Sequence, residues 1–252
     1  MLPLLDLIGT EKFAILSSDK SRYEEAYWFY YLSLDRYLHE MSVAARYSKG
    51  PYWVRRSGGK ARYTSLDQSL ANQYRKAAPL LEYDLVNCLI HSRILLDRVT
   101  ALARHFLKGK RLPSFTSFND HRKFFLNLSE SYGAHDTYAR YIREQTEWFE
   151  MPLKAVRDKF VVHAGPKHMR FLGYPDGGWE LDLIIILPDS DDPSKPLSKI
   201  KHIGVNAIRL SREIEGFLKW FCEYGVFSIN QTTHNMAFNR TRKSDAPVTS
   251  IR

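Results

Sequence analysis

Arg157, Asp158 and His163 are the residues of this chain whose types and spacing best suit chemistry, and they stand close together in "AVRDKFVVHAGP" at 155–166. Cleaving a phosphodiester through a neighbouring 2′-hydroxyl makes three demands. A proton must leave the nucleophile, a proton must reach the leaving oxygen, and a dianionic phosphorane must be stabilised. A histidine, with an ordinary pKa of about 6.5, performs either proton transfer near neutral pH. An arginine stays charged and offers phosphate oxygens a fixed fork of donors. Asp158, beside Arg157, can fix the arginine rotamer or orient the imidazole.

Spacing alone does not single these residues out. Twenty-one arginines and nine histidines, paired with four to six residues between them, give roughly two matches by chance. Two occur, Arg157–His163 and Arg98–His105. Context separates them. Arg98–His105 falls inside a long helical pattern, and no polar partner follows its arginine. Arg157 is followed by Asp158, Lys159, three apolar residues, His163 and a helix break at Gly165-Pro166. A plainer role exists for His163 too, since an imidazolium near a helix C-terminus interacts favourably with the dipole.

On one straight helix, six residues put Arg157 and His163 about 120° apart and about 9 Å apart along the axis. A composite site at a two-fold axis solves this, because two copies supply two arginines and two histidines to one cleft. Lys159 lies one turn before His163 on the same face, where it can touch phosphate or simply face water. His91, Arg93, Asp97 and Arg98 read either as lining of the same cleft or as a structural set between helices.

A second group of candidates lies in the loop 49–63. It carries five basic residues (Lys49, Arg55, Arg56, Lys60 and Arg62), no acid, and the aromatics Tyr52, Trp53 and Tyr63. Cations among rings suit single-stranded RNA, where rings stack on bases and cations follow phosphates. Arg55, Arg56, Lys60, Arg62 and Trp53, with Lys159, are therefore the candidate RNA contacts. The alternative is a basic, solvated loop. "YWFYY" at 27–31 reads as core or as an interface between copies rather than as a stacking platform.

Composition narrows the classes. At 252 residues, 44% hydrophobic and 26% charged, the chain can bury a core, and wholesale disorder is excluded. A net charge of +9 favours polyanionic partners or simple solubility. Cys88 and Cys222 sit in apolar helical patterns outside any CxxC, which predicts reduced thiols and a cytoplasmic protein. No GxxxxGK[ST], GxGxxG or HExxH is present, and the acids show no metal-centre spacing, so neither cofactor nor metal is predicted. The apolar opening, "MLPLLDLIGTEKFAIL", lacks a basic leader and is interrupted by Asp6, Glu11 and Lys12. It is not expected to span or enter a membrane.

The positioning elements are mainly helical. Apolar periodicity predicts a helix over 21–48, opened by a Ser21 cap with Glu24 three residues on. A second helical run covers 64–110, with Pro79 expected to kink or split it and Gly109 to end it. A shorter helix follows, and another run starts near 135. Pro152 is expected as the first residue of a helix over 152–164. A β-hairpin is predicted at about 168–187, then a final amphipathic helix from about 204. The expected organisation is an N-terminal helix and basic aromatic loop (1–63), a helical bundle carrying the hairpin (64–228), and a flexible basic tail (229–252).

"AVRDKFVVHAG" resembles the signature of HEPN domains, an arginine, a polar residue and, four to six positions on, a histidine near a helix end. Its form, R-[DN]-K followed by three apolar residues and His, is similar to that of AbiU2-like prokaryotic members. The upstream "HSRILLDRVTALARHFLKGKRLPSF" resembles the helix those proteins pack against the motif helix, and the likeness spans about 64–228. It implies an all-α, HEPN-like antiparallel helical bundle, here with the β-hairpin inserted before the last helix, and frequent homodimerisation. It further implies a metal-independent endoribonuclease of stress response, toxin–antitoxin systems or phage defence, with RNA as substrate and a possible antitoxin protein as partner. Arg157 and His163 correspond to the catalytic pair and Asp158 to the assisting residue. Other members are non-catalytic modules that bind RNA, a nucleotide or a partner protein, and the motif admits that alternative.

Overall fold

The structure, a computed structural model, describes residues 4–6, 13–48, 54–57, 60–63, 68–107, 113, 115–128, 135–155, 167–173, 179–188 and 200–244. Five helices carry it: α1 (Phe13–Ser48), α2 (Gln68–Leu102), α3 (Phe118–Leu126), α4 (Asp136–Gln145) and α5 (Ala207–Ser244). Every side chain of the buried hydrophobic cluster comes from these helices or from the helical turns at 4–6, 103–107, 147–149 and 150–155.

α1 is 36 residues long and buries Asp19, Tyr23, Ala26, Tyr30, Ser33 and Tyr37. Those positions alternate by four and three, the stripe expected of a helix packed lengthwise on another. α2 answers with Ala77, Leu81, Leu85, Cys88, Ser92, Leu95, Val99 and Leu102. Three contacts give the relative direction. Arg36 meets Asp84, Phe29 stacks on His91, and Asp19 meets Arg104 just past α2, so the two helices run antiparallel.

The second half of the core is aromatic. Phe118 meets Phe149 and Phe217 edge to face, with ring centroids 4.8 and 5.2 Å apart. Tyr141 of α4 stacks flat on Trp220 of α5 at 3.5 Å, and Phe106 meets Phe221 at 5.1 Å. Such geometry suits the ring quadrupoles and adds specificity to simple burial.

Several helix boundaries differ from the sequence expectations. α1 begins at Phe13, so Ser21 lies inside the helix and caps nothing. Pro79 sits within α2 without dividing it. It is exposed, so its ring lies on the side of the helix away from the core. α2 gives way at Leu102 to a 3-10 turn, Ala103–His105. α4 ends at Gln145, before Pro152 is reached, and Pro152 does not open a helix. It lies inside a π-helical turn, Glu150–Ala155, that starts two residues earlier, and the rest of the helix expected over 152–164 lies outside the described residues.

The backbone also forms two antiparallel ladders. β1 (Val54–Ser57) pairs with β2 (Lys60–Tyr63) inside the stretch expected to be a loop. β3 (Lys167–Gly173), β4 (Trp179–Pro188) and β5 (Ile200–Asn206) make a sheet of order β3-β4-β5, and β5 leads directly into α5. β5 takes Gly204–Asn206, which helical periodicity alone assigns to the last helix. α5 then continues to Ser244, past the point where the sequence turns polar.

α3 is pinned at its start. Ser117 caps it, its Oγ accepting from the Asp120 amide at 3.1 Å. The Phe118 amide donates to Asp97 Oδ1 at 2.7 Å, and Asp97 also holds Arg93 at 3.2 Å. The Arg93 guanidinium lies over the Phe149 ring at 4.5 Å. Arg93 and Asp97 are thus a structural set, one of the two readings the sequence left open. Asp97→Ala leaves the buried Arg93 charge uncompensated, so the unfolding free energy falls by about 3 kcal/mol. Asp97→Asn keeps an acceptor for the Phe118 amide and loses about half as much. Urea denaturation of the two variants at one pH measures both.

Candidate functional site

Arg157, Asp158, Lys159 and His163 lie outside the described residues, as does Trp53. What the structure defines is the frame that leads into the motif. The chain leaves α4 at Thr146, makes a 3-10 turn, Glu147–Phe149, and then the π turn that ends at Ala155, two residues before Arg157. Thr146 donates from Oγ1 to the Ile142 carbonyl and accepts from Arg122 Nε at 3.0 Å. Arg122, buried on α3, also donates to Glu150 Oε1 at 2.6 Å, and Lys154 holds the other oxygen at 2.9 Å. Phe149 and Leu153 are buried beside this chain of ion pairs. Pro152 has no N–H for the carbonyl four residues back, which suits a widened turn. The approach to the motif is therefore fixed by Arg122, more than thirty residues upstream.

The basic candidates Arg55, Arg56, Lys60 and Arg62 come together on one two-stranded ribbon. Its register sets Arg55 opposite Arg62, Arg56 opposite Ala61 and Ser57 opposite Lys60. The second chance pair is not a site of the same kind. Arg98 is exposed, whereas His105 Nε2 meets Asp19 Oδ2 at 3.2 Å, where Arg104 also pairs. That cluster ties the end of α2 to α1 across more than eighty residues, and no local pattern announces it.

Two further histidines are built into the core. His135 Nδ1 shares a 2.9 Å hydrogen bond with the Tyr224 hydroxyl. His121 is fully buried among Phe115, Phe118, Phe125 and Tyr138, and its Nε2 shares a 3.0 Å hydrogen bond with the Tyr138 hydroxyl. Burial pushes its pKa down to about 3, so the ring is neutral and serves packing rather than proton transfer at neutral pH. Burial likewise raises the Cys88 thiol to about 12, which leaves it unreactive. Among the described residues, no group of His, Cys, Asp and Glu is arranged to hold a metal ion.

One concave surface joins residues that no local sequence pattern connects. A groove of about 1110 Å³ lies between α1 and α5, lined by Tyr23, Glu24, Tyr27 and Trp28 on one side and by Glu215 and Leu218 among others on the other. "YWFYY" supplies part of it. Only Tyr30 of that run is buried, while Tyr27, Trp28, Phe29 and Tyr31 are 41, 61, 49 and 49% exposed. The core reading therefore fails for four of the five, because the buried stripe passes through Tyr30 alone, although Phe29 still lies against His91 of α2.

Comparison with protein-family models, with curated proteins and with solved structures returns no match to this chain. Among the described residues, no helix is long and apolar enough to cross a membrane.

His121 makes stability sensitive to acid. In the unfolded chain the imidazole takes a proton near the ordinary value of about 6.5, whereas in the fold it stays neutral down to about 3. Between those values the unfolded state binds more protons. The His121 contribution is therefore full above about pH 6.5 and is lost as pH falls toward 3, with a slope of up to about 1.4 kcal/mol per pH unit. His121→Phe removes that slope. Denaturant titrations at pH 7.5, 6 and 5 should show the stability gap between native protein and variant shifting in the variant's favour with acid.

Proposed function

We propose that this protein is a metal-independent, HEPN-type endoribonuclease that acts on cytoplasmic RNA in stress response, toxin–antitoxin regulation or phage defence. The observation that carries the reading is the 157–163 stretch itself: Arg157, Asp158, Lys159, three apolar residues and His163 ahead of Gly165-Pro166. The mainly helical core supports it, as does the anchored turn that delivers the chain to Ala155.

The substrate's own 2′-hydroxyl attacks the adjacent phosphorus, and the 5′-oxygen of the next nucleotide leaves, giving a 2′,3′-cyclic phosphate. His163 acts as the general base or acid, Arg157 neutralises the phosphorane oxygens, and Asp158 orients its neighbours. Two copies about a two-fold supply both proton-transfer roles at once, one imidazole taking the proton and the other giving it. The ribbon that pairs Arg55 with Arg62 contributes cations that follow the RNA backbone, with Arg56, Lys60, Lys159 and Trp53.

The experiment incubates the purified full-length protein with mixed RNAs in excess EDTA. Cleavage with cyclic-phosphate ends is expected, falling about 100-fold or more in His163→Ala and in Arg157→Ala. An inactive native protein over several RNAs, or cleavage unchanged in both variants, would remove the enzymatic reading. Tight RNA binding without cleavage would point to the non-catalytic HEPN-like module instead.

A further inference from the structure

The groove between α1 and α5 differs in character from the rest of the chain. Its lining holds four carboxylates, Glu24, Glu25, Glu215 and Glu223, against one ammonium, Lys219, in a protein of net charge +9. Glu24 has Lys20 at 3.9 Å, an exposed pair of little strength. Arg22 and Arg212 are exposed nearby but do not line the groove.

The same surface is rich in rings. Tyr27 lies against Tyr23 with centroids 6.0 Å apart, and Trp28 against Tyr31 at 5.9 Å. Leu32 continues the stripe one turn beyond Trp28 and is 54% exposed. An exposed tryptophan between aromatic neighbours, rimmed by charge, has the make-up of a binding hot spot.

We propose that this groove docks a basic, amphipathic helical segment of a partner protein. Trp28, Tyr27 and Leu218 receive its apolar face, and the four glutamates meet its Lys and Arg side chains. Charge decides the class of partner. Rings alone would suit single-stranded RNA, but a nucleic-acid groove pairs its rings with cations. Here the carboxylates repel phosphate and attract ammonium and guanidinium groups. Shape decides the form. The groove runs between two helices, and its volume matches about nine residues of a helix roughly 10 Å across, some two and a half turns. Three apolar anchors at i, i+3 or i+4, and i+7 fit that length.

This assignment stands apart from the RNase reading, because none of the groove residues belongs to the 157–163 motif. The test uses the full-length protein and a labelled 18-residue helix-forming peptide, with leucines at i, i+4 and i+7 and lysines or arginines flanking them. Two controls accompany it, the same peptide with glutamate for each cation, and a 12-nucleotide oligouridine. Fluorescence anisotropy is expected to show micromolar binding of the basic peptide alone, weakening with salt. Trp28→Ala and the pair Glu24→Lys with Glu223→Lys should each weaken it about tenfold or more. All three positions are exposed, and a thermal melt confirms that the variants fold.

Failure of the basic peptide to bind overturns the proposal, as does binding that none of these variants weakens. Oligouridine binding that Trp28→Ala weakens would assign the groove to RNA. A native dimer that Trp28→Ala splits, with no peptide bound, would assign it to a second copy of this chain. Peptide binding measured in His163→Ala protein separates this result from the fate of the nuclease reading.

Discussion

The seam between α1 and α2 carries the molecule, and two buried carboxylates fix its register. Near one end, Asp19 of α1 is met by Arg104 and His105 from the 3-10 turn just past α2. Further along, Asp84 of α2 is met by Arg36 of α1 at 2.8 Å. Each buried acid is therefore answered from the other helix, while the two arginines keep much of their surface in water. A slip of one helical turn, about 5.4 Å, would strand both acids in an apolar interface. Apolar stripes alone tolerate such slips, since one small side chain replaces another. The pairing of charges converts a greasy contact into a single alignment, and α5 and the aromatic layer then pack against a fixed pair.

The aromatic layer depends on that alignment. Phe106 follows the turn that holds His105 and touches Tyr138 and Phe221. The same turn's carbonyl at Phe106 accepts from Ser228 at 3.1 Å, which ties α5 to the end of α2. On the other side, Arg93 and Asp97 set the start of α3, and α3 carries both His121 and Arg122. His121 goes into the aromatic packing, and Arg122 reaches the irregular turns ahead of residue 156. A line of contacts thus runs from the α1–α2 seam through Asp97, the start of α3 and Arg122 to the approach of the motif.

How much of this could be read beforehand varies with range. The long helices, and the change of pattern near 167, follow from periodicity within a single window. Boundaries set by distant partners do not. Ser21 has the local marks of a cap, yet Asp19 is needed inside α1 to meet Arg104, and the helix runs back to Phe13. Pro79 has the local marks of a break, yet it lies on the water-facing side and leaves α2 whole. Pro152 suggests a helix start, yet Thr146 has already ended α4 through bonds to Ile142 and Arg122. Arg157, Asp158 and His163 stand out by local context, since Lys159, three apolar residues and a Gly165-Pro166 break surround a spacing that chance alone supplies. The groove went unseen because its two walls, near residues 24–28 and 215–223, are almost two hundred positions apart.

The exposed face of α1 follows from the same heptad logic that builds the core. A helix that packs on one neighbour commits one stripe to it, and in α1 that stripe takes Tyr23, Ala26, Tyr30 and Ser33. The bulky residues beside it, Tyr27, Trp28, Tyr31 and Leu32, are left outward by geometry. Helix stability alone gives no reason for rings there, because Lys, Glu or Gln have equal or better propensity and stay wetted. Leaving a tryptophan 61% exposed between aromatic neighbours runs against aggregation resistance unless something covers it at some stage. The acids of the adjoining groove narrow what that cover is. They keep phosphate away from rings that would otherwise stack on bases, and they keep apart two copies of the same acidic wall. A cationic helix satisfies both the rings and the charges, and this is the physical sense in which the outer face of α1 is already half of an interface.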